Sequence, residues 1–438
     1  MTTSLRGIAN KAAEEKRYRF RDLYRMLNLE NLRWSFYRLR KDAACGVDQV
    51  SFGDYEENLE ENLRGLVERL KAKRYRAKLV KRKYIPKPGT DKRRPLGIPA
   101  LEDKILQAAV ANILSAIWGQ DFLECSYGYR KGIGPHDGLD ELQKALQNGK
   151  YHWVVEADIR GFFDNMDHDW LVRMLEERVE DRALIRLIRK WLRAGILEED
   201  GSVVHPATGS PQGGIVSPVL SNIYLHYVLD LWFEKKVARG CRGHCKLVRY
   251  ADDFVCAFES GREAEEFEIS LKERLAGFGL EVAEEKTRTM KFTRRGGKEN
   301  GKFDFLGFEF RWGLSRKGNA VVKRRTSRKK LQSSLMNFTE WVRKNRHWKV
   351  RRLLMSLKKK LAGYGNYYAI AGNSRSVQDF FRLMIKVLFK WLNRRSQRRS
   401  YRWEGFNRLL RKFGMACPKV RKAGNCQMEL GLKHVVVL

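Results

Sequence analysis

Between Leu247 and Phe258 the chain reads as two apolar arms closed by Tyr250-Ala251-Asp252-Asp253. Short apolar runs on either side of a tight turn are the pattern of a buried β-hairpin. Two adjacent carboxylates at its tip repel one another and resist burial unless a cation neutralises them. A second apolar strand, Val154 to Ile159, delivers Asp158 to its end. If the two strands are neighbours, Asp158 and Asp252 converge with Asp253 alongside, forming the oxygen-rich shell that Mg²⁺ takes. Two such ions about 3.5–4 Å apart can activate a hydroxyl nucleophile and stabilise a leaving pyrophosphate. A bare Asp-Asp pair is most often a solvated turn; two acidic strand ends within a basic chain are a sharper signal.

How basic the chain is, and where, narrows the partner. Of 438 residues, 88 are Lys or Arg and 52 are Asp or Glu, a net +36. From Gly313 onward there are 33 basic and 4 acidic side chains, so +29 of the excess lies there and the first 312 residues hold only +7. An apolar fraction of 43% with 11% aromatics is too high for a disordered polycation. The chain is expected to fold into two or three domains with nucleic acid as partner. A ribosomal-type structural protein fits this composition equally well, so motifs must decide. No run of 18 apolar residues occurs, the longest stretch, Ala108 to Trp118, being broken by Asn112 and Ser115, and no membrane partner is expected. Glu14 and Glu15 argue against a transit peptide. Seven cysteines, an odd count in a long chain, point to a reducing cytoplasm rather than a disulfide framework.

The periodicities predict an α+β body. Helices are expected over Glu14–Arg40, Gly53–Ala72, Leu101–Trp118 and Asp169–Glu180, and strands over Lys81–Pro86, His152–Ile159 and Phe303–Trp312. Beyond Gly313, three amphipathic basic helices are expected near Arg328–Lys344, Val350–Tyr368 and Ser376–Asn393. A domain boundary is placed at Gly313–Asn319, where Gly, Ser and charge cluster. The expected division is residues 1–72 as an N-terminal helical extension, 73–312 as the body, 313–400 as basic helices and 401–438 as a basic C-terminal segment.

Several segments carry a family resemblance. Tyr250-Ala251-Asp252-Asp253, Gly209-Ser210-Pro211-Gln212-Gly213-Gly214 and Asp158-Ile159-Arg160-Gly161-Phe162-Phe163-Asp164 are similar to the palm motifs of reverse transcriptases. Tyr84-Ile85-Pro86-Lys87-Pro88 with Arg94-Pro95-Leu96-Gly97-Ile98-Pro99 resembles the fingers of the group II intron-encoded branch. Ser126-Tyr127-Gly128-Tyr129-Arg130 and Phe305-Leu306-Gly307-Phe308 match that branch in order. Gly363-Tyr364-Gly365-Asn366-Tyr367-Tyr368 resembles its thumb and maturase segment. The resemblance runs from about Gly46 to Phe406 and implies a right-hand polymerase fold, with fingers, a palm built on an antiparallel sheet, and an α-helical basic thumb/maturase region.

Carried over position by position, the resemblance makes Asp158 and Asp252 metal ligands, with the Ile159 carbonyl assisting and Asp253 as accessory carboxylate. Two Mg²⁺ ions are implied, with Mn²⁺ as a substitute. Lys87 and Arg94 fall where the incoming triphosphate is neutralised. Gln212 lines the nucleotide pocket. Phe163 matches the aromatic under the sugar, whose bulk selects dNTPs, while Phe162 is assigned to the core. Lys286 matches a lysine placed to protonate pyrophosphate, although an ordinary surface lysine fits the sequence as well. His168 and Asp167 are read as capping the next helix.

Cys241-Arg242-Gly243-His244-Cys245 holds too few ligands for a zinc ribbon, and a Gly-rich turn ahead of the next strand is expected there. The short segment after Gly414 has His434 as its only histidine, so the appended HNH-type endonuclease of some relatives is not expected. In the basic region, Arg324, Arg325, Lys329, Lys330, Arg394, Arg395, Arg398 and Arg399 are the candidate RNA-binding residues, with neighbouring aromatics either stacking on bases or forming core. The implied function is an RNA-directed DNA polymerase and maturase acting on structured intron RNA, an RNA template/DNA primer duplex, dNTPs and target DNA, in a cytoplasmic, nucleoid-associated ribonucleoprotein. A host-adopted reverse transcriptase working in repair or phage defence, and an RNA-binding splicing cofactor with incidental polymerase activity, remain open on sequence alone.

Overall fold

The computed structural model describes residues 3–86, 93–294, 301–315, 317–395 and 400–420. The chain divides into two compact units. Among the described residues the first carries eight strands: β1 (Val80–Pro86), β2 (Arg93–Ile98), β3 (Trp153–Ala157), β4 (Ile196–Leu197), β5 (Val203–Val204), β6 (Cys245–Tyr250), β7 (Asp253–Phe258) and β8 (Arg288–Lys291). They form two sheets, ordered β2-β1-β4-β5 and β6-β7-β3-β8. Every pairing in the second sheet is antiparallel. Its central strand β7 is apolar from Phe254 to Phe258 and buried at each of those positions, because both faces of the β3–β7 pair are covered. One cover is the Gly261–Ala276 helix, whose Ala264, Phe267, Leu271 and Leu275 join Val155, Phe254, Cys256 and Phe258 in the main core.

The Leu101–Trp118 helix is apolar on nearly all sides and buried along most of its length, as such a sequence requires. The helix beginning at Ser217 runs on to Gly240 through two wide π-helical turns, His226–Asp230 and Phe233–Val237. Glu14–Arg40 is not one helix. Helix occupies Thr3–Glu14 and Leu29–Phe36, and the intervening chain crosses to pair Phe20 with Val179. Asp22 turns at φ 55°, and the Asn28 side chain caps the second helix by accepting from the Asn31 amide at 3.0 Å. Tertiary pairing therefore overrides the helical spacing of Tyr18, Phe20 and Leu23.

Among the described residues the second unit runs from Arg294 and holds a three-stranded antiparallel sheet, β9 (Phe303–Phe305), β10 (Phe308–Leu314) and β11 (Ala320–Thr326), ahead of helices Arg328–Asn345, Val350–Tyr368, Ser374–Leu392 and Trp403–Lys412. Phe303–Trp312 is thus two strands rather than one. Leu306 and Gly307 both take positive φ between them, and the Leu306 carbonyl accepts from the Tyr367 hydroxyl at 2.8 Å. The Gly- and Ser-rich stretch after Gly313 is the turn of the β10–β11 hairpin, with Gly313 opposite Val321. The compact division accordingly falls at Thr293–Arg294, because β10 is paired on both sides within the basic unit. No helix among the described residues is long and apolar enough to cross a membrane.

Candidate active site

Asp158 follows β3, and Asp252 lies in the two-residue turn joining β6 to β7, where Tyr250 pairs with Asp253. Because β3 runs antiparallel to β7 with Ala157 opposite Phe254, the end of β3 and the start of β7 meet at one end of the sheet, between its two inner strands. The two carboxylates are close enough for their charges to interact. Burial pushes the Asp252 carboxyl above its ordinary value and the charge of Asp158 adds to this, while Arg94 and Lys286 act the other way. Asp253 is exposed at the start of β7.

Lys286 comes from the loop between the Gly261–Ala276 helix and β8, and its ammonium makes an ion pair with the Asp158 carboxylate. That hydrogen bond raises the Lys286 pKa, with the charges of Asp158 and Asp253 reinforcing it. The segment carrying Asp158 is pinned to the chain before Lys286, since the Ala283 amide donates to the Asp158 carbonyl and the Arg160 amide to the Glu281 carbonyl, both at 2.8 Å.

The 209–214 loop is stapled to the same region. The Gly209 amide donates to the Met166 carbonyl and the Ser210 amide to the Phe163 carbonyl, each at 2.7 Å. A ring nitrogen of buried His168 lies 2.6 Å from the Gly209 carbonyl, and the Asp167 carboxylate caps the following helix at the Trp170 amide, 2.8 Å away. On its other side the loop holds the end of β2, where the Gly97 amide donates to the Gln212 carbonyl at 2.7 Å. Gly213 sits at φ 119°, and a Cβ there would lie 2.5 Å from the Gly97 carbonyl oxygen, so the approach of the two segments requires glycine. Phe162 is buried in the core, whereas Phe163 is half-buried beside it with ring centroids 5.5 Å apart. Gln212, Phe163, Asp158 and the exposed Arg94 therefore belong to one stapled neighbourhood of the first unit. Lys87 lies outside the described residues.

Tyr129, which the sequence placed in the 126–130 motif without a role, joins this neighbourhood. Its backbone takes φ 54°, rare for a bulky residue, and burial followed by the charge of Asp252 pushes its phenol up to about 12. Arg249, Asp230 and Asn222 were also missed. The available signal was a lone Asp230 within the apolar run Tyr227 to Phe233, since a charge in such a run must be paired.

Among the described residues no group of three or more His, Cys, Asp or Glu side chains assembles a complete metal shell. What the site offers a cation is two carboxylates, Asp158 and Asp252: hard oxygens of the kind Mg²⁺ takes. The burial of Asp252 against a second carboxylate, with a lysine ammonium lying on Asp158, is the electrostatic setting a cation would complete. Around Cys241 and Cys245, the Arg242 and His244 amides are held by the Glu263 and Glu259 carboxylates, which forms the turn ahead of β6.

In the second unit the candidate RNA contacts separate. Arg324 is 5% exposed within β11, and Arg325 is paired with Glu309 at 2.8 Å. Lys329, Lys330 and Arg394 are exposed, Arg395 donates to the Trp348 carbonyl, and Arg398 and Arg399 lie outside the described residues. Trp348 has the Arg352 guanidinium over its ring at 4.2 Å, and Trp391 has Arg346 and Arg394 at 5.5 and 5.8 Å, so cations already face these rings. Tyr364 and Phe380 stack in the core with centroids 3.8 Å apart.

Residues 85–310, more than half of the chain, match the family described as reverse transcriptase (RNA-dependent DNA polymerase). The chain is 28% identical to the group II intron-encoded protein LtrA of Lactococcus lactis subsp. cremoris, a similarity spanning 74% of this chain and 66% of that protein. It is 33% identical to protein YkfC of Escherichia coli (strain K12) over 48% of this chain and 62% of that one. Similarity to nuclear intron maturase 3, mitochondrial, of Arabidopsis thaliana is 29% over 32% and 20% of the two chains. The chain thus spans slightly less than two thirds of the length of the first two relatives.

Proposed function

The chain belongs to the reverse transcriptase family, and from that premise we propose that it copies RNA into cDNA at the Asp158–Asp252 end of the β6-β7-β3-β8 sheet and binds group II intron RNA through its basic helical unit. The observation that carries the first half is the meeting of the two carboxylates at one end of the sheet, beside a loop stapled on either side to Phe163 and Gly97. That arrangement supports a fingers–palm–thumb reading, with the second unit as thumb and maturase region.

In this reading Asp158 and Asp252, with the Ile159 carbonyl, hold Mg²⁺ and Asp253 assists from the exposed side; the ions would supply activation of the primer 3′-hydroxyl and neutralisation of the pyrophosphate. The protein's own groups do the rest. Arg94 neutralises the triphosphate and Lys87 is assigned the same task. Phe163 stands under the sugar, where its ring disfavours a 2′-hydroxyl. The Gln212 backbone, tied to Gly97, sets the wall of the nucleotide pocket. Lys286, whose raised pKa keeps it protonated, can give its proton to the leaving pyrophosphate once its bond to Asp158 is exchanged.

Intron binding is supported by the +29 carried from Gly313 onward and by similarity to a group II intron-encoded protein and an intron maturase. Lys329, Lys330 and Arg394 are the exposed cations assigned to it. Target DNA and a nucleoid-associated ribonucleoprotein follow from the same reading. The test is primer extension on an RNA template with purified protein, dNTPs and Mg²⁺, run beside splicing of the candidate intron RNA. Extension and splicing that both depend on the protein are expected; extension without splicing would leave a polymerase that is not a maturase.

A further inference from the structure

The turn bearing Asp252 is held by a side chain to which the carboxylate motif assigns no task. Arg249 is fully buried, and each of its five N–H donors meets an acceptor. Nε donates to Asp230 Oδ1 at 2.7 Å. One terminal nitrogen donates to Asp230 Oδ2 at 2.5 Å and to Ser126 Oγ at 2.8 Å. The other donates to Asn222 Oδ1 at 3.1 Å and to the Ala251 carbonyl at 3.0 Å. Asp230 is itself wholly buried and sits in the first of the two wide π-helical turns. A buried charge pair persists only when its remaining donors and acceptors are met, and a fully bonded fork has no second geometry of comparable energy.

The backbone is strapped at the same place. The Arg249 amide donates to the Cys125 carbonyl, and the Tyr127 amide donates to the Arg249 carbonyl, both at 2.8 Å. Asn222 reaches the strap as well, donating to the Gly128 carbonyl at 2.6 Å. Gly128 lies so close to the turn that a Cβ there would fall 2.3 Å from the Ala251 amide nitrogen. Ala251, whose carbonyl the fork takes, is held at φ 57°, a left-handed setting that a residue with a Cβ keeps only when its surroundings impose it.

We infer that Arg249 and Asp230 form a positioning clamp that holds the Ala251 carbonyl, thereby fixing the Ala251–Asp252 peptide and the direction in which Asp252 presents its carboxylate toward Asp158. The catalytic consequence rests on the polymerase reading; the geometry does not. His226, 4.0 Å from Asp230, is pushed down to about 4 by burial and stays neutral, leaving the clamp with one charge of each sign.

The test uses the full chain in three variants. Arg249→Lys keeps the charge but offers three donors. Asp230→Asn keeps the shape. The double variant Arg249→Met with Asp230→Leu replaces the pair by apolar groups, a change that buried ion pairs often tolerate. Each is read by thermal melting, template–primer binding, single-turnover incorporation over a range of dNTP concentrations, and hydrogen exchange of residues 247–258. The double variant is expected to melt near wild type and bind template–primer and dNTP normally. Its maximal incorporation rate should fall about 100-fold, with faster exchange at the turn. Arg249→Lys, which keeps both charges, is expected between wild type and the double variant and carries the test should the double variant not fold, whereas Asp230→Asn leaves a buried guanidinium unpaired and is expected to melt lowest. A folded variant with wild-type maximal rate would overturn the clamp, as would equal losses in binding and rate with unchanged exchange. If the wild-type protein extends no primer, the polymerase reading fails instead, and unchanged exchange alone overturns the clamp.

Discussion

The Lys286 ammonium lies on the Asp158 carboxylate, joining residues 128 positions apart at the end of β3. A lysine in that place can serve as proton donor to a leaving group and as the charge that balances Asp158 between substrates. Lys286→Ala is expected to lower the maximal rate of single-nucleotide incorporation by about 100-fold, with the apparent dNTP affinity changed far less. Rapid-quench kinetics over a range of dNTP concentrations would check this, and a wild-type rate would return Lys286 to the status of an ordinary surface lysine.

Asp252→Ala is expected to abolish primer extension while leaving RNA binding nearly intact, since the carboxylate belongs to the first unit and the +29 excess to residues from Gly313 onward. Parallel extension and filter-binding assays measure the two. Residual extension close to wild type would remove Asp252 from the chemistry.

Phe163 is half-buried, with its backbone carbonyl holding Ser210, so trimming its ring leaves the loop staple in place. Phe163→Val should narrow the preference for dNTP over rNTP by about 10- to 100-fold. Competing dNTP and rNTP incorporation opposite the same template base is the measurement; an unchanged ratio would mean that the ring does not meet the sugar.

Asp103 gives a prediction about stability rather than activity. It is buried, accepting from the Tyr75 hydroxyl and the Lys78 amide, and burial raises its pKa from 3.8 to about 6. A carboxyl raised in the folded state favours folding most where it is protonated, below its unfolded value near 4, and that contribution is lost as pH rises to about 6. The shift corresponds to about 3 kcal/mol. Urea unfolding of wild type should therefore show stability falling between about pH 4 and 6.5 by an amount that is missing from Asp103→Asn. Parallel profiles for the two proteins would show that Asp103 does not titrate in this range.

Replacing Lys329, Lys330 and Arg394 with Gln should weaken RNA binding. The salt dependence of binding should flatten by about one unit of slope for each phosphate that is no longer neutralised. Incorporation on a pre-annealed primer should suffer less. Equal losses in both assays would mean that the charge division between the two units has no functional counterpart.

The placement of Asp158 and Asp252 at strand ends was legible because each depends on a local pattern: an apolar strand ending in a carboxylate, and an apolar hairpin closed by two. The Leu101–Trp118 helix was legible for the same reason, its composition requiring burial along most of its surface. Where local pattern met a long-range partner, the partner won. Phe20 pairs with Val179 and so ends the expected Glu14–Arg40 helix, and the Gly-rich stretch after Gly313 turns a hairpin because Val321 and its neighbours pair with β10.

By itself the sequence determined which carboxylates stand at the strand ends, the asymmetry of charge and the strand-and-helix character of most segments, all carried by neighbours in the chain. Only the tertiary structure decided what holds the turn around Asp252 in place. Arg249 finds Ser126, Asn222 and Asp230 at separations of 123, 27 and 19 residues, and a buried guanidinium must satisfy its donors wherever the fold supplies acceptors. That requirement has no sequence period, so it becomes visible only once the chain has folded.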